Sequence, residues 1–321
     1  MGYEESRTEQ KKKKKKIWHW VFFCVSLLLV ALCIFSAFVP PITWKYHILL
    51  PDVPKRNEGE LAIHVLDAKH GDATVIELPN GEIALLGGGA DDEESRENVI
   101  RFLYALDVEQ IDYVIATGVH RDQCGALENV VEFFKVGKVY KTLQTGTPSG
   151  AYSDFIASAN RKGIECIYPE RCEFLYRSKD QICSVRFVCA EGEENSAIAT
   201  MLYITYGEVN ALIGGDMATA ALEQLMQEDA IGAFLPWGIS FDKTEIVKVA
   251  SDVDEETAGF FLQWSAANDV VISCREEPSY VPSDELLSSL GKYANRILRT
   301  DQKGRITYLL NGSGYQINMQ K

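Results

Sequence analysis

Thr117-Gly118-Val119-His120-Arg121-Asp122-Gln123-Cys124-Gly125 lies between an apolar run at 111–116 and a segment of helical spacing at 124–135. The first reads as a buried strand and the second as a helix, so the stretch is the loop at a strand's exit. It sets an imidazole and a carboxylate two residues apart, side-chain types that suit a divalent cation. Asp122 also has a plainer role, because an aspartate just before a helix caps the free N–H groups of its first turn. Asp216 repeats the arrangement, closing an apolar run at 209–214 ahead of a helix expected at 217–228.

Outward from this loop, residues 61–68, 73–78 and 82–86 read as short strands, with turns at His70-Gly71-Asp72 and Pro79-Asn80-Gly81. Val99, Ile100, Leu103 and Leu106 then keep helical spacing. Further helices are expected at 150–162, 255–266 and 284–294, and strands near 139–144, 164–168, 181–189, 198–206, 244–250, 269–273, 296–299 and 305–310. This α/β (α+β) order predicts two sheets covered by helices on their outer faces. Gly87-Gly88-Gly89 belongs to no phosphate-loop or dinucleotide pattern and reads as a tight strand exit.

The 321 residues, 46% hydrophobic and 24% charged, suffice for a sizeable core and exclude wholesale disorder. The charge is unevenly placed. Residues 1–16 carry Arg7 and Lys11 to Lys16 against Glu4, Glu5 and Glu9, net +4, so with −14 overall the remainder carries −18. From Ile17 to Val39 the chain has 23 residues without Asp, Glu, Lys or Arg, enough to cross a hydrocarbon core of roughly 30 Å. Trp18, Trp20, Trp44 and Tyr46 stand at its ends, where aromatic rings favour headgroups, and Pro40-Pro41 stops the helix. The lysine run predicts a cytoplasmic N-terminus and an extracytoplasmic remainder. The apolar run is longer than a cleaved signal's, so an uncleaved single-pass anchor is expected. The chain then divides into a basic cytoplasmic tail (1–16), a transmembrane helix (17–40), a linker (41–60) and a globular domain (61–321). Six of the eight cysteines lie in that domain, and spacing alone leaves their pairing open.

The ordered turns of this domain resemble the metallo-β-lactamase-like domain of the ComEC family, the competence channel proteins of bacterial DNA uptake. Leu66-Asp67-Ala68-Lys69-His70-Gly71-Asp72-Ala73 matches the family's LDVGQGDA, Leu85-Leu86-Gly87-Gly88-Gly89 its LIDGG, and Leu212-Ile213-Gly214-Gly215-Asp216 its LLTGD. Glu194-Asn195-Ser196, Pro282-Ser283 and Thr300-Asp301-Gln302-Lys303-Gly304 follow in the family's order. The resemblance covers about residues 61–310 and implies an αββα sandwich with a site at the sheet edges. Family members hold divalent metals with [ST]-H-x-[HD]-x-D-H-x-G-G, the Asp of GD and a later HHGS. Here the first His position is Gly118, the closing His is Gln123 and the Asp of IDGG is Gly87. The HHGS region falls at Ala250-Ser251-Asp252-Val253, without a histidine, and the His before Pro-Ser is Val281. Of the ligand positions only His120, Asp122 and Asp216 are kept.

Two metals need three or four ligands each. The expectation is therefore a catalytically degenerate relative with no metal cofactor, whose cleft binds an unidentified protein or small molecule or serves a structural role. The alternative is an active hydrolase, a phosphodiesterase or nuclease, with one zinc or manganese on His120, Asp122 and Asp216. His64, mid-strand, and His70, in a turn, read as ordinary structural residues. Cys124, expected in the first turn of a helix near His120, is a candidate reactive thiol, with space-filling as its plainer role. A remainder at −18 repels phosphate polymers, so nucleic acid is not an expected partner, although Lys135, Lys138 and Lys141 could form a local basic patch.

Overall fold

The computed structural model describes residues 2–69, 71–142, 147–189, 200–214, 219–249, 253, 255–265, 267–275 and 281–320. Two compact units divide the chain, Met1–Leu49 and Leu50–Lys321. The first is helix α1 (Gly2–Phe38), followed by a 3-10 turn at Pro41–His47. Within α1, Lys14–Ala37 is long and apolar enough to cross a membrane. Trp44 closes the helix end, its Nε1–H donating to the Val39 carbonyl at 2.9 Å.

In the second unit the first half of the chain gives β1 (Leu61–Val65), β2 (Thr74–Glu77), β3 (Ile83–Leu86), α2 (Glu93–Ala105) and β4 (Gln110–Ile115). Next come α3 (Arg121–Cys124), α4 (Leu127–Phe133), β5 (Lys135–Tyr140), α5 (Gly150–Arg161) and β6 (Glu165–Ile167). The second half gives β7 (Phe174–Arg177), β8 (Cys183–Cys189), β9 (Thr200–Tyr206), β10 (Val209–Gly214), α6 (Thr219–Ala230) and β11 (Ile246–Val249). It ends with α7 (Glu255–Ser265), β12 (Asp269–Ile272), α8 (Asp284–Leu290), β13 (Arg296–Arg299), α9 (Thr300–Lys303), β14 (Arg305–Leu310) and β15 (Tyr315–Gln320).

The strands form two sheets, β15-β14-β1-β2-β3-β4-β5-β6 and β13-β12-β11-β10-β9-β8-β7. Alternation builds the sandwich: Ile63, Leu86, Ile115, Phe187, Ile204, Ile213 and Ile246 turn inward and share one core between the sheets. On the other side of the seven-stranded sheet Leu212, Val247, Val249 and Ile272 pack with Phe261 and Leu262 of α7 and Leu286 of α8. Helix, sheet, sheet, helix is the layering that the sequence predicts. Residues 50–60, read as linker, fall in the second unit, where Arg305 Nη2–H donates to the Asp52 carbonyl.

Two details differ from the sequence reading. The single helix expected at 124–135 is broken into α3 and α4, and β5 starts at Lys135 instead of 139. The break is at Gly125, whose backbone lies so close to the Ala90 carbonyl that a Cβ there would stand 2.0 Å from its oxygen. Strands β7 and β15, absent from the sequence reading, both lie at sheet edges; β7 is four residues long and carries a bulge, and β15, where Tyr315, Ile317 and Met319 alternate with polar residues, is largely exposed.

His64 of β1 points outward from the inter-sheet core and stacks on Phe102 of α2, ring centroids 4.9 Å apart. Its Nε2 meets Glu77 Oε1 and its Nδ1 meets Thr307 Oγ1, both at 2.9 Å. A neutral ring satisfies both by donating to the carboxylate and accepting from the hydroxyl. Burial holds its pKa below the ordinary 6.5, against the pull of Glu77. Unfolded chain therefore takes up a proton below about pH 6.5 that folded chain refuses, so this stabilising contribution is present above that pH and lost as pH falls. Burial raises the Glu77 pKa, but the His64 and Arg56 contacts outweigh it and leave it lowered, which adds a further loss at more acid pH. The melting temperature is expected to fall between pH 7 and 5.5, and to fall less in His64→Gln; calorimetry across that window measures the difference.

Candidate functional site

The loops after β1, β3 and β4 meet at one end of the sandwich and bind each other through backbone. Gly89 N–H donates to Asp72 O at 2.9 Å, Gly88 N–H to Gln123 O at 2.8 Å, and Gly125 and Ala126 N–H to Gly89 and Gly88 O, both at 2.9 Å. Gly71 is wedged into this junction, where a Cβ would stand 2.2 Å from Ala90 N and 2.3 Å from Asp122 O. Each loop fixes the other two.

The junction presents His120 at the N-cap position of α3, exposed, with Asp122 half-buried in the helix's first turn. Asp122 is not the cap expected from sequence: no side chain caps α3, whose first residue is Arg121, three residues earlier than the periodicity suggests. Gln123 is buried, at 4% exposure, and Gly118 is buried behind it. Asp216, His70 and Ala250-Ser251-Asp252 lie outside the described residues. His64 is committed to Glu77 and Thr307 under α2 and does not join His120.

Cys124 is the last residue of α3, not in the first turn of a longer helix. Its Sγ–H donates to the Gly118 carbonyl at 3.2 Å. Burial, aided by Asp91, pushes the thiol up to about 12. Burial against Gly118 favours the space-filling role of this sulfur over that of a reactive thiol. Iodoacetamide at pH 7.5 is expected to leave Cys124 unmodified in the folded protein and to label it after denaturation, read by peptide mass mapping.

Two divalent ions at this junction would need about three or four donors each. At Gly87, φ is +74° and a Cβ would stand 2.3 Å from the Asp72 carbonyl oxygen, so the carboxylate that the family carries here has no room. Such a Cβ would lie 3.4 Å from Thr117 Oγ1, a buried hydroxyl with no partner among the described residues. Among the described residues no three His, Cys, Asp or Glu side chains gather as a metal site. The residues described do not fit a metal pair.

Charge at this end of the sandwich is instead neutralised within the protein. Lys248 of β11, fully buried, donates Nζ–H to Asp72 Oδ1 and, at 3.1 Å, to the Gly214 carbonyl. Lys69 pairs with Glu94 at 2.8 Å and lies 3.9 Å from Asp67. Asp301 accepts from Arg299 at 2.5 Å and from Cys274 Sγ at 3.2 Å. Burial, then Asp301, pushes that thiol to about 12. Sequence reasoning missed Lys248. Its signal was a lysine two residues after Ile246, on the core-facing side of a strand, where a charge requires a partner. Lys248→Met strands the Asp72 carboxylate at the sheet junction and is expected to cost about 3–5 kcal/mol of stability. Urea titration of Lys248→Met beside Lys248→Met/Asp72→Asn checks this, with the double variant expected to recover part of the loss.

No family model matches the chain. ComE operon protein 3 of Bacillus subtilis is 24% identical over 277 residues, 78% of this chain. The chain spans about a third of that relative's length, 33%. Among solved structures, the diiron β-hydroxylase CmlA of Streptomyces venezuelae is 14% identical with a TM-score of 0.49, over 79% of this chain and 55% of that one. A mutant of CmlA is 13% identical with a TM-score of 0.50, over 80% of this chain and 54% of that one. A metallo-β-lactamase of Cronobacter sakazakii is 14% identical with a TM-score of 0.32, over 48% of this chain and 60% of that one. The two-sheet sandwich, with its loops knotted at one end, is a metallo-β-lactamase-like fold. Together with the sequence relative and the shared order of turn motifs, it defines a ComEC-like metallo-β-lactamase domain.

Proposed function

We propose that this chain is a membrane-anchored, extracytoplasmic ComEC-like domain that has lost two-metal hydrolysis and retains the scaffold for a binding or structural role. One observation carries the reading: lost ligand positions are closed over instead of standing open. Gly87 abuts the Asp72 carbonyl, and the Cys124 sulfur rests on Gly118. A dinuclear site generates hydroxide and polarises a phosphoryl group only with enough donors to hold both ions. His120, Asp122 and Asp216, alone on ligand positions, supply too few. The apolar helix ahead of the domain and the lysines before it support the anchor and its orientation.

The test is metal analysis of the full chain, purified in non-ionic detergent and dialysed, beside an assay with bis(p-nitrophenyl) phosphate. Substoichiometric zinc and manganese with hydrolysis at background are expected. Stoichiometric metal, with turnover abolished by Asp216→Ala at an unchanged melting temperature, would overturn the proposal in favour of the one-metal hydrolase.

A further inference from the structure

On the outer face of the seven-stranded sheet, away from the loop junction, β7, β8 and β9 open into a cleft of about 160 Å³. Register explains its lining. Arg177 stands opposite Ser184, and Ser184 opposite Thr205; one step along, Phe174 stands opposite Arg186, and Arg186 opposite Tyr203. The bulge between Phe174 and Tyr176 turns Phe174 and Arg177 to the same face. Trp237, exposed in the 3-10 turn Leu235–Trp237, forms one wall.

Both guanidiniums lie over the Phe174 ring, Arg186 at 3.4 Å and Arg177 at 5.0 Å from its centroid. Stacking on a ring uses the flat face of a guanidinium and leaves its N–H edges for other partners. One edge of Arg186 donates to the Cys172 carbonyl at 3.0 Å and one of Arg177 to Gln181 Oε1 at 2.5 Å. Among the described residues neither pairs with a carboxylate, although the chain has 46 acidic residues to 32 basic ones. Burial lowers the Arg186 pKa, Cys172 works the other way, and Arg177 lowers it again. Two like charges held together and partly desolvated are unfavourable until an anion joins them.

We propose that this cleft binds a small phosphomonoester, its oxyanion held by the Arg177 and Arg186 forks and the Ser184 and Thr205 hydroxyls, its organic part lying against Trp237. Bidentate guanidinium contacts suit tetrahedral oxyanions, and the hydroxyls supply two further donors. A long polyanion does not fit, because two cations cannot offset the repulsion of a strongly acidic domain. The site is independent of the metal question.

The experiment is calorimetric titration of the full chain in non-ionic detergent with phenyl phosphate, inorganic phosphate and benzoate. Saturable binding of phenyl phosphate is expected. Arg177→Gln, at an exposed position, should weaken it about tenfold, and Arg186→Lys, which keeps the charge and removes the fork, by a similar factor. Trp237→Ala should weaken phenyl phosphate and leave inorganic phosphate unchanged. No saturable binding of either phosphate, or wild-type affinity in Arg177→Gln, overturns the proposal. Benzoate binding as tight as phenyl phosphate overturns the phosphate assignment.

Discussion

Everything at the functional end of this sandwich depends on three loops whose backbones are hydrogen-bonded to one another. The loops after β1, β3 and β4 have no room for side chains at Gly71 and Gly125, and their N–H and carbonyl groups are used within the junction. Such an arrangement is rigid because its groups are paired away from water, where an unmade bond is costly. In a metal-binding relative, a junction of this kind would aim ligands at a common point. Here it fixes His120 and Asp122 in place while the neighbouring positions carry Gly118, Gln123 and Gly87.

The electrostatics agree with the backbone. A pair of dications needs a surplus of negative charge and free lone pairs around it. At this end of the molecule the buried Lys248 ammonium already occupies Asp72, Lys69 lies among Asp67 and Glu94, and Arg299 takes Asp301. The lysine also ties β11 of one sheet to the β1–β2 loop of the other, so the charge pair serves the scaffold. Asp72, Asp67, Glu94 and Asp301 are thereby committed to cations that belong to the chain.

Much of this was legible in the sequence because period and turn chemistry are local. The strands at 61–65, 74–77 and 83–86 and their turns followed from apolar alternation and Gly-Asp or Asn-Gly dipeptides, and the loss of ligands followed from residue type alone. What escaped depended on contacts distant in sequence. Between α3 and α4 the N–H groups of Gly125 and Ala126 donate to the Gly89 and Gly88 carbonyls, some thirty-five residues away, instead of within a helix, while the helical pattern of the sequence runs on unbroken. Cys124 looked like a helix-start thiol and is a buried one for the same reason. Lys248 and the two stacked arginines of the outer cleft showed no motif; only the strand register brings Arg177, Ser184 and Thr205 into a row.

The central claim is that the junction no longer grips a metal pair, and an anomalous difference map from crystals grown with excess zinc tests it most directly. The account predicts no pair of peaks at the His120, Asp122 and Asp216 positions, with Cys124 still against the Gly118 carbonyl. Two strong peaks a few ångströms apart between these side chains would contradict it.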